Sequence, residues 1–109
     1  MVMLATAFAR ARQDTAAGTD PHEGIVAADP SVLPLGTRIR ITRADGYDGN
    51  YLVTDTGAAV KGRHIDIYLQ SEAQAKRFGV KTVRVRITEM GAGKADARSK
   101  DDTTVAGRR

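Results

Sequence analysis

The sequence predicts a mainly β fold: six short strands closing into a small barrel or sandwich, with one or two short helices. Three observations carry this. Six runs show strand composition, most with period-2 alternation. Only one segment has both helix start and stop signals. The runs are separated by stretches rich in Gly, Pro, Asp and Asn. At 109 residues, the chain has the length of one domain, and a domain of that size buries about two-thirds of its unfolded surface.

Residues 2–8 (VMLATAF) form the first run. The apolar stretch 1–9 ends in small residues, as a secretory signal does. It lacks a basic start and is short for a signal core, so it reads as a strand. Residues 24–28 (GIVAA) form a short apolar strand that stops at Asp29-Pro30. In 37–42 (TRIRIT), Ile39 and Ile41 share one face and Arg38 and Arg40 the other. The turn-rich 44–50 (ADGYDGN) then leads into 51–54 (YLVT), a hairpin-like connection. In 63–69 (RHIDIYL), Ile65, Ile67 and Leu69 share one face and His64, Asp66 and Tyr68 the other. Residues 71–78 (SEAQAKRF) read as a two-turn helix, with Ser71 as N-cap, Glu72 in the first turn and Gly79 as the stop. In 82–88 (TVRVRIT), Val83, Val85 and Ile87 point inward, Arg84 and Arg86 outward. Residues 1–90 make the folded unit. The remainder, 91–109, is nearly free of large apolar side chains and is expected to be a disordered tail.

Composition removes several function classes. There is no cysteine, so no disulfide scaffold, thiol nucleophile or Cys-ligated metal. The histidines are His22 and His64 alone, too few for a multi-histidine metal site. No apolar run approaches the ~20 residues of a membrane-spanning helix. Glycine-rich phosphate loops are absent. The net charge of +4 is shared equally between the body and the tail. With five aromatic residues in all, none interleaved with the basic strands, a base-stacking nucleic-acid surface is not expected.

The densest polar cluster runs from Thr54-Asp55-Thr56-Gly57 through Lys61-Gly62 to His64-Ile65-Asp66-Ile67-Tyr68. Two carboxylates on successive strands can meet across a groove, where one makes the other harder to ionise. Plainer roles also fit: Asp55 as a turn residue, Asp66 as an outward acid paired with a base such as Arg63, Asp29 as a loop cap. His64 reads as a structural or surface histidine. The single Asp-Thr-Gly triplet resembles the aspartic-protease motif, which would require a homodimer.

Four strings in order narrow these options: Gly24-Ile25-Val26-Ala27-Ala28-Asp29-Pro30, Leu33-Pro34-Leu35-Gly36-Thr37, Asp55-Thr56-Gly57-Ala58-Ala59-Val60-Lys61-Gly62 and Ile65-Asp66-Ile67-Tyr68. Together they resemble the 3D domain, named for three aspartates and shared with the lytic transglycosylase MltA and resuscitation-factor-like cell-wall proteins. Thr6-Ala7-Phe8 resembles the family's Thr-Ala-Tyr strand, and the three aspartates map onto Asp29, Asp55 and Asp66. Two departures stand out. Phe8 lacks the tyrosine hydroxyl, and Ala58 replaces the second glycine after Asp-Thr.

The resemblance implies a double-psi β-barrel that cuts peptidoglycan glycan strands, with Asp66 catalytic and Asp55 beside it. A lytic transglycosylase needs one carboxyl group, acting first as acid and then as base, and no metal or cofactor. An Asp ionises near pH ~3.9 in water, so the role calls for a sheltered site or a neighbouring negative charge. Thr6, Asp29, Thr56, Gly57 and Lys61 would contact the substrate, with Asp29 suited to bracing the groove. The resemblance further implies an extracytoplasmic monomer whose lone barrel holds glycan in an open cleft. The alternative on the same barrel is a non-catalytic glycan-binding module of the expansin type.

Overall fold

Alternation becomes architecture through which side chains turn inward. The computed structural model describes residues 1–9 and 24–93; His22 and the expected tail from residue 94 onward lie outside them. Six strands are present: β1 (Val2–Phe8), β2 (Ile25–Ala28), β3 (Arg38–Thr42), β4 (Gly49–Asp55), β5 (His64–Tyr68) and β6 (Lys81–Glu89). One helix, α1 (Glu72–Phe78), joins β5 to β6.

The strands close into a barrel in the order β1-β5-β2-β4-β3-β6. Two neighbouring pairs are parallel, β1 with β5 and β2 with β4. The other four ladders are antiparallel. Closure leaves no free sheet edge. The barrel of the double-psi type is therefore present, with a single helix beside it.

The interior is filled by the alternating apolar set. Met3 and Ala5 come from β1, Val26 and Ala28 from β2, Ile39 and Ile41 from β3, Val53 from β4, Ile65 and Ile67 from β5, and Val83 and Val85 from β6. Burying each large aliphatic side chain contributes about 1.5–3 kcal/mol. Leu33, Leu69 and Phe78 extend the cluster.

Helix α1 begins as its sequence predicts. Ser71 Oγ accepts from the Gln74 N–H at 3.1 Å, and Gly79 closes the helix at φ 67°. Phe78 anchors it, edge-on to Tyr47 with ring centroids 5.0 Å apart.

Beyond one-residue shifts at element ends, two features differ from the sequence-based expectation. Strand β4 is longer at both ends than 51–54, because Gly49 and Asn50 pair with Ile41 and Arg40 of β3. Tyr68 lies on the polar face of β5 yet is buried, because the Phe8 ring of β1 packs against it edge-on at 5.6 Å.

The described chain continues past β6 to Gly93. Gly91 donates its N–H to Thr37 Oγ1 at 3.0 Å, and Gly93 donates to Leu35 O at 2.9 Å. A Cβ on Gly91 would overlap the backbone of Leu35, Gly36 and Thr37. Among the described residues, no helix is long and apolar enough to cross a membrane.

Candidate active site

The barrel register lines four outward-facing residues into one row. In the parallel β1–β5 ladder Thr6 is opposite Asp66. In the β2–β5 ladder Asp66 is opposite Ala27. In the parallel β2–β4 ladder Ala27 is opposite Asp55. The row thus reads Thr6, Asp66, Ala27, Asp55 across β1, β5, β2 and β4. The two acids are not on neighbouring strands, since β2 runs between theirs. Strand spacing sets their Cα atoms about 10 Å apart, with the small side chain of Ala27 between.

A bulge puts Asp55 in this row. Val26 pairs with Val53, but the next residue, Ala27, pairs with Asp55, so Thr54 is the extra residue. Val53 faces the core. Without the bulge, Asp55 would share its face, because strand side chains repeat every second residue. The inserted residue turns the carboxylate to the outer face, a common use of bulges beside functional sites.

Exposure changes along the row. Asp55 and Ala27 are buried, 6% and 4% exposed, whereas Asp66 and Thr6 are half-buried. Asp66 is therefore the more accessible acid. Asp55 Oδ1 accepts from the Thr56 N–H at 2.9 Å, which holds the first residue of the following turn.

Asp66 is held from β1. Thr6 Oγ1 lies 3.0 Å from Asp66 Oδ1 and 2.8 Å from His64 Nε2. When Asp66 is ionised, the Thr6 hydroxyl donates to it and accepts from a protonated Nε2. When Asp66 carries a proton, a hydroxyl can reverse both bonds, accepting from the acid and donating to a bare Nε2. The His64–Thr6–Asp66 chain can thus serve both protonation states.

Asp29 has a different task. Its Oδ1 accepts from the Ser31 N–H at 2.9 Å and the Ser31 hydroxyl at 2.7 Å, and its Oδ2 accepts from the Gly62 N–H at 2.7 Å. These bonds, the Gly62 N–H foremost, lower its pKa to about 2, with a smaller contribution from the nearby Lys61 charge. Gly62 sits at φ 67°, where a Cβ would be strained. Asp29 therefore ties the loop after β2 to the connector between β4 and β5. That connector holds three more of the predicted residues: Thr56 and Lys61 are exposed on it, and Gly57 forms a turn in which its carbonyl accepts from the Val60 N–H at 3.0 Å.

The structure thus brings Thr6, Asp66 and Asp55 into one row and places Asp29, Thr56, Gly57 and Lys61 on the loops at its end. His64 is the residue that sequence reasoning left out of the site. Its signal was alternation, which sets it beside Asp66 on one face of β5; its link to Thr6 needs the β1–β5 pairing. Among the described residues, no three His, Cys, Asp or Glu side chains converge to hold a metal ion.

The family profile of the 3D domain matches residues 24–89, more than half of the chain. The chain belongs to the 3D domain family. The three aspartates that the sequence resemblance singles out are the brace at Asp29 and the row pair Asp55 and Asp66. The chain is 40% identical over 77 residues to the cell wall-binding protein YocH of Bacillus subtilis, covering 67% of this chain and 25% of that protein. It is 38% identical over 68 residues to the putative cell wall shaping protein YabE of the same organism, covering 62% of this chain and 16% of that one. The chain therefore spans a quarter or less of these two curated relatives. Among solved structures, Escherichia coli MltA with bound chitohexaose matches at TM-score 0.59 and 24% identity, over 73% of this chain and 28% of that one. The Escherichia coli MltA structure described as a unique lytic transglycosylase fold matches at TM-score 0.58 and 24% identity, covering 74% and 28%. That likeness shows the barrel fold.

Proposed function

We propose that this 3D domain is a peptidoglycan lytic transglycosylase acting outside the cytoplasm, cutting the MurNAc-β-1,4-GlcNAc bond without water. The observation that carries the reading is the half-buried Asp66, held by Thr6 and set in one row with the buried Asp55. In the proposed reaction, protonated Asp66 gives its proton to the glycosidic oxygen as the bond from C1 to that oxygen breaks. The resulting carboxylate then takes the proton of the MurNAc C6 hydroxyl, whose oxygen bonds to C1 and closes the 1,6-anhydro ring. Atoms and protons balance on a single carboxyl group, which ends as it began. The reversible hydrogen bonds of Thr6 suit a group that must be acid and base in turn.

Asp55 acts in support. Its bond to Thr56 positions the turn that leads to Lys61. In this reading Thr56 and Lys61, exposed on the braced connector, contact sugar substituents and the peptide arm. MltA with bound chitohexaose supports a glycan in this barrel's groove.

The names of the relatives, cell wall-binding and cell wall shaping, favour a second reading in which the same groove binds glycan without turnover. Mass spectrometry of products from purified sacculi separates the two. Anhydro-muropeptides released by the wild type and lost in Asp66→Asn support cleavage. Binding with no anhydro product sinks it in favour of the binding module.

A further inference from the structure

The β3–β6 face carries three arginines that have no ion pair among the described residues. Arg40 and Arg86 are direct partners across this antiparallel ladder, and Arg84 follows two residues along β6, opposite Thr42. Like charges placed opposite each other destabilise a sheet. The three arginines line one open depression together with Thr42 and Ile87.

Among the described residues, the acids of the neighbouring strands and loop have other partners. Asp45 pairs with Lys81 at 3.6 Å, and Glu89 with Arg38 at 3.5 Å. Asp48 accepts from the N–H groups of Arg43 and Ala44. Arg40 has a long 3.4 Å contact to Asn50 Oδ1. Arg84 and Arg86 have no ion pair among the described residues.

We propose that this face binds an extended phosphodiester polyanion of the cell wall, a polyol-phosphate chain. Guanidinium groups grip phosphate oxygens in pairs. Arg40 and Arg86 can share one phosphate, and Arg84, roughly 7 Å along the strand, can take the next. No aromatic residue lines the depression, so a nucleic acid would find no stacking partner there. In barrel order β3 and β6 lie opposite β5 and β2, so polymer and glycan can be held at once. The inference rests on the wall association proposed above and not on cleavage.

The test is binding of the 109-residue chain to purified sacculi, intact or stripped of phosphodiester polymer by hydrofluoric acid, across increasing salt. For wild type, binding to intact sacculi should weaken steeply with salt and fall on stripping. For Arg84→Gln/Arg86→Gln, it should be at least ten-fold weaker on intact sacculi and equal to wild type on stripped ones. Arg84→Lys/Arg86→Lys, which keeps charge without the paired donors, should lie between. Three results would overturn the proposal: equal binding of the Gln variant to intact sacculi, no effect of stripping on the wild type, or a larger loss for a single-stranded oligonucleotide than for the wall. Release of anhydro-muropeptides from stripped sacculi should be the same for Arg84→Gln/Arg86→Gln and wild type, so a failed cleavage reading is seen in products and a failed polymer reading in binding.

Discussion

The two sides of the barrel handle charge in opposite ways. On the β5–β2–β4 side the acids are tied in by short hydrogen bonds: Asp29 by Ser31 and Gly62, Asp66 by Thr6, Asp55 by the backbone of Thr56. On the β3–β6 side Arg40 and Arg86 face one another across the ladder with no ion pair among the described residues. Both sides rest on the same alternating core. The difference is physical: hydrogen bonds fix the carboxylates in place, whereas Arg84 and Arg86 on the opposite side have no ion pair among the described residues, and the proposed cleavage and the proposed polymer binding rest on these two conditions.

The largest expected effect tests whether chemistry belongs to the acid side alone. Asp66→Asn should lower anhydro-muropeptide release from stripped sacculi by about 10²–10⁴-fold, the range of a lost general acid, while Arg84→Gln/Arg86→Gln leaves it unchanged. Near-normal release from Asp66→Asn would erase the distinction between the sides.

Next comes the link from β1. Thr6→Val should reduce release by about 10- to 100-fold through misplacement of the carboxyl group, and Thr6→Ser should restore most of it. A Val variant as active as wild type would show that the 3.0 Å bond to Asp66 has no part in turnover.

The third prediction concerns Asp29. Its pKa in the fold is lowered from 3.8 to about 2. The ionised group therefore stabilises the fold above its unfolded value, and that contribution is lost as pH falls from near 3.8 to about 2. Thermal melts should show wild type above Asp29→Asn at neutral pH, with the gap closing across that acid window. A gap that stays constant with pH would mean the charge of Asp29 does not brace the connector.

The smallest effects concern stability on each side. Arg86→Gln should leave the melting temperature unchanged or raise it, since it removes a repulsion. Thr54 is buried, and its hydroxyl finds no partner among the described residues. Thr54→Val should therefore be neutral or stabilising by about 1 kcal/mol, with the bulge and the release rate unchanged. A clear loss of activity would mean that Thr54 does more than occupy the bulge.

Much of this was legible before the fold. Strand β1 runs over the residues its alternation predicts, and β5 and β6 differ from their predicted spans by one residue at each end. Ser71 and Gly79 bound α1 because capping is local chemistry. Tyr68 could not be placed, since its burial depends on Phe8, a residue far away in the chain. The ends of β4 escaped notice because Gly49 and Asn50 favour turns until a β3 partner holds them extended.

What the amino-acid order settles here is periodic or local: the strands, the inward set, the helix caps, and the family strings that single out Asp29, Asp55 and Asp66. What needs the closed barrel is anything that depends on register between distant strands. Thr6 meets Asp66 because β1 and β5 pair in parallel. Asp55 turns outward because Thr54 is spare against β2. Arg40 faces Arg86 because β3 and β6 close the ring. A two-residue period tells a side chain which face to take, but only the partner strand decides what it meets there.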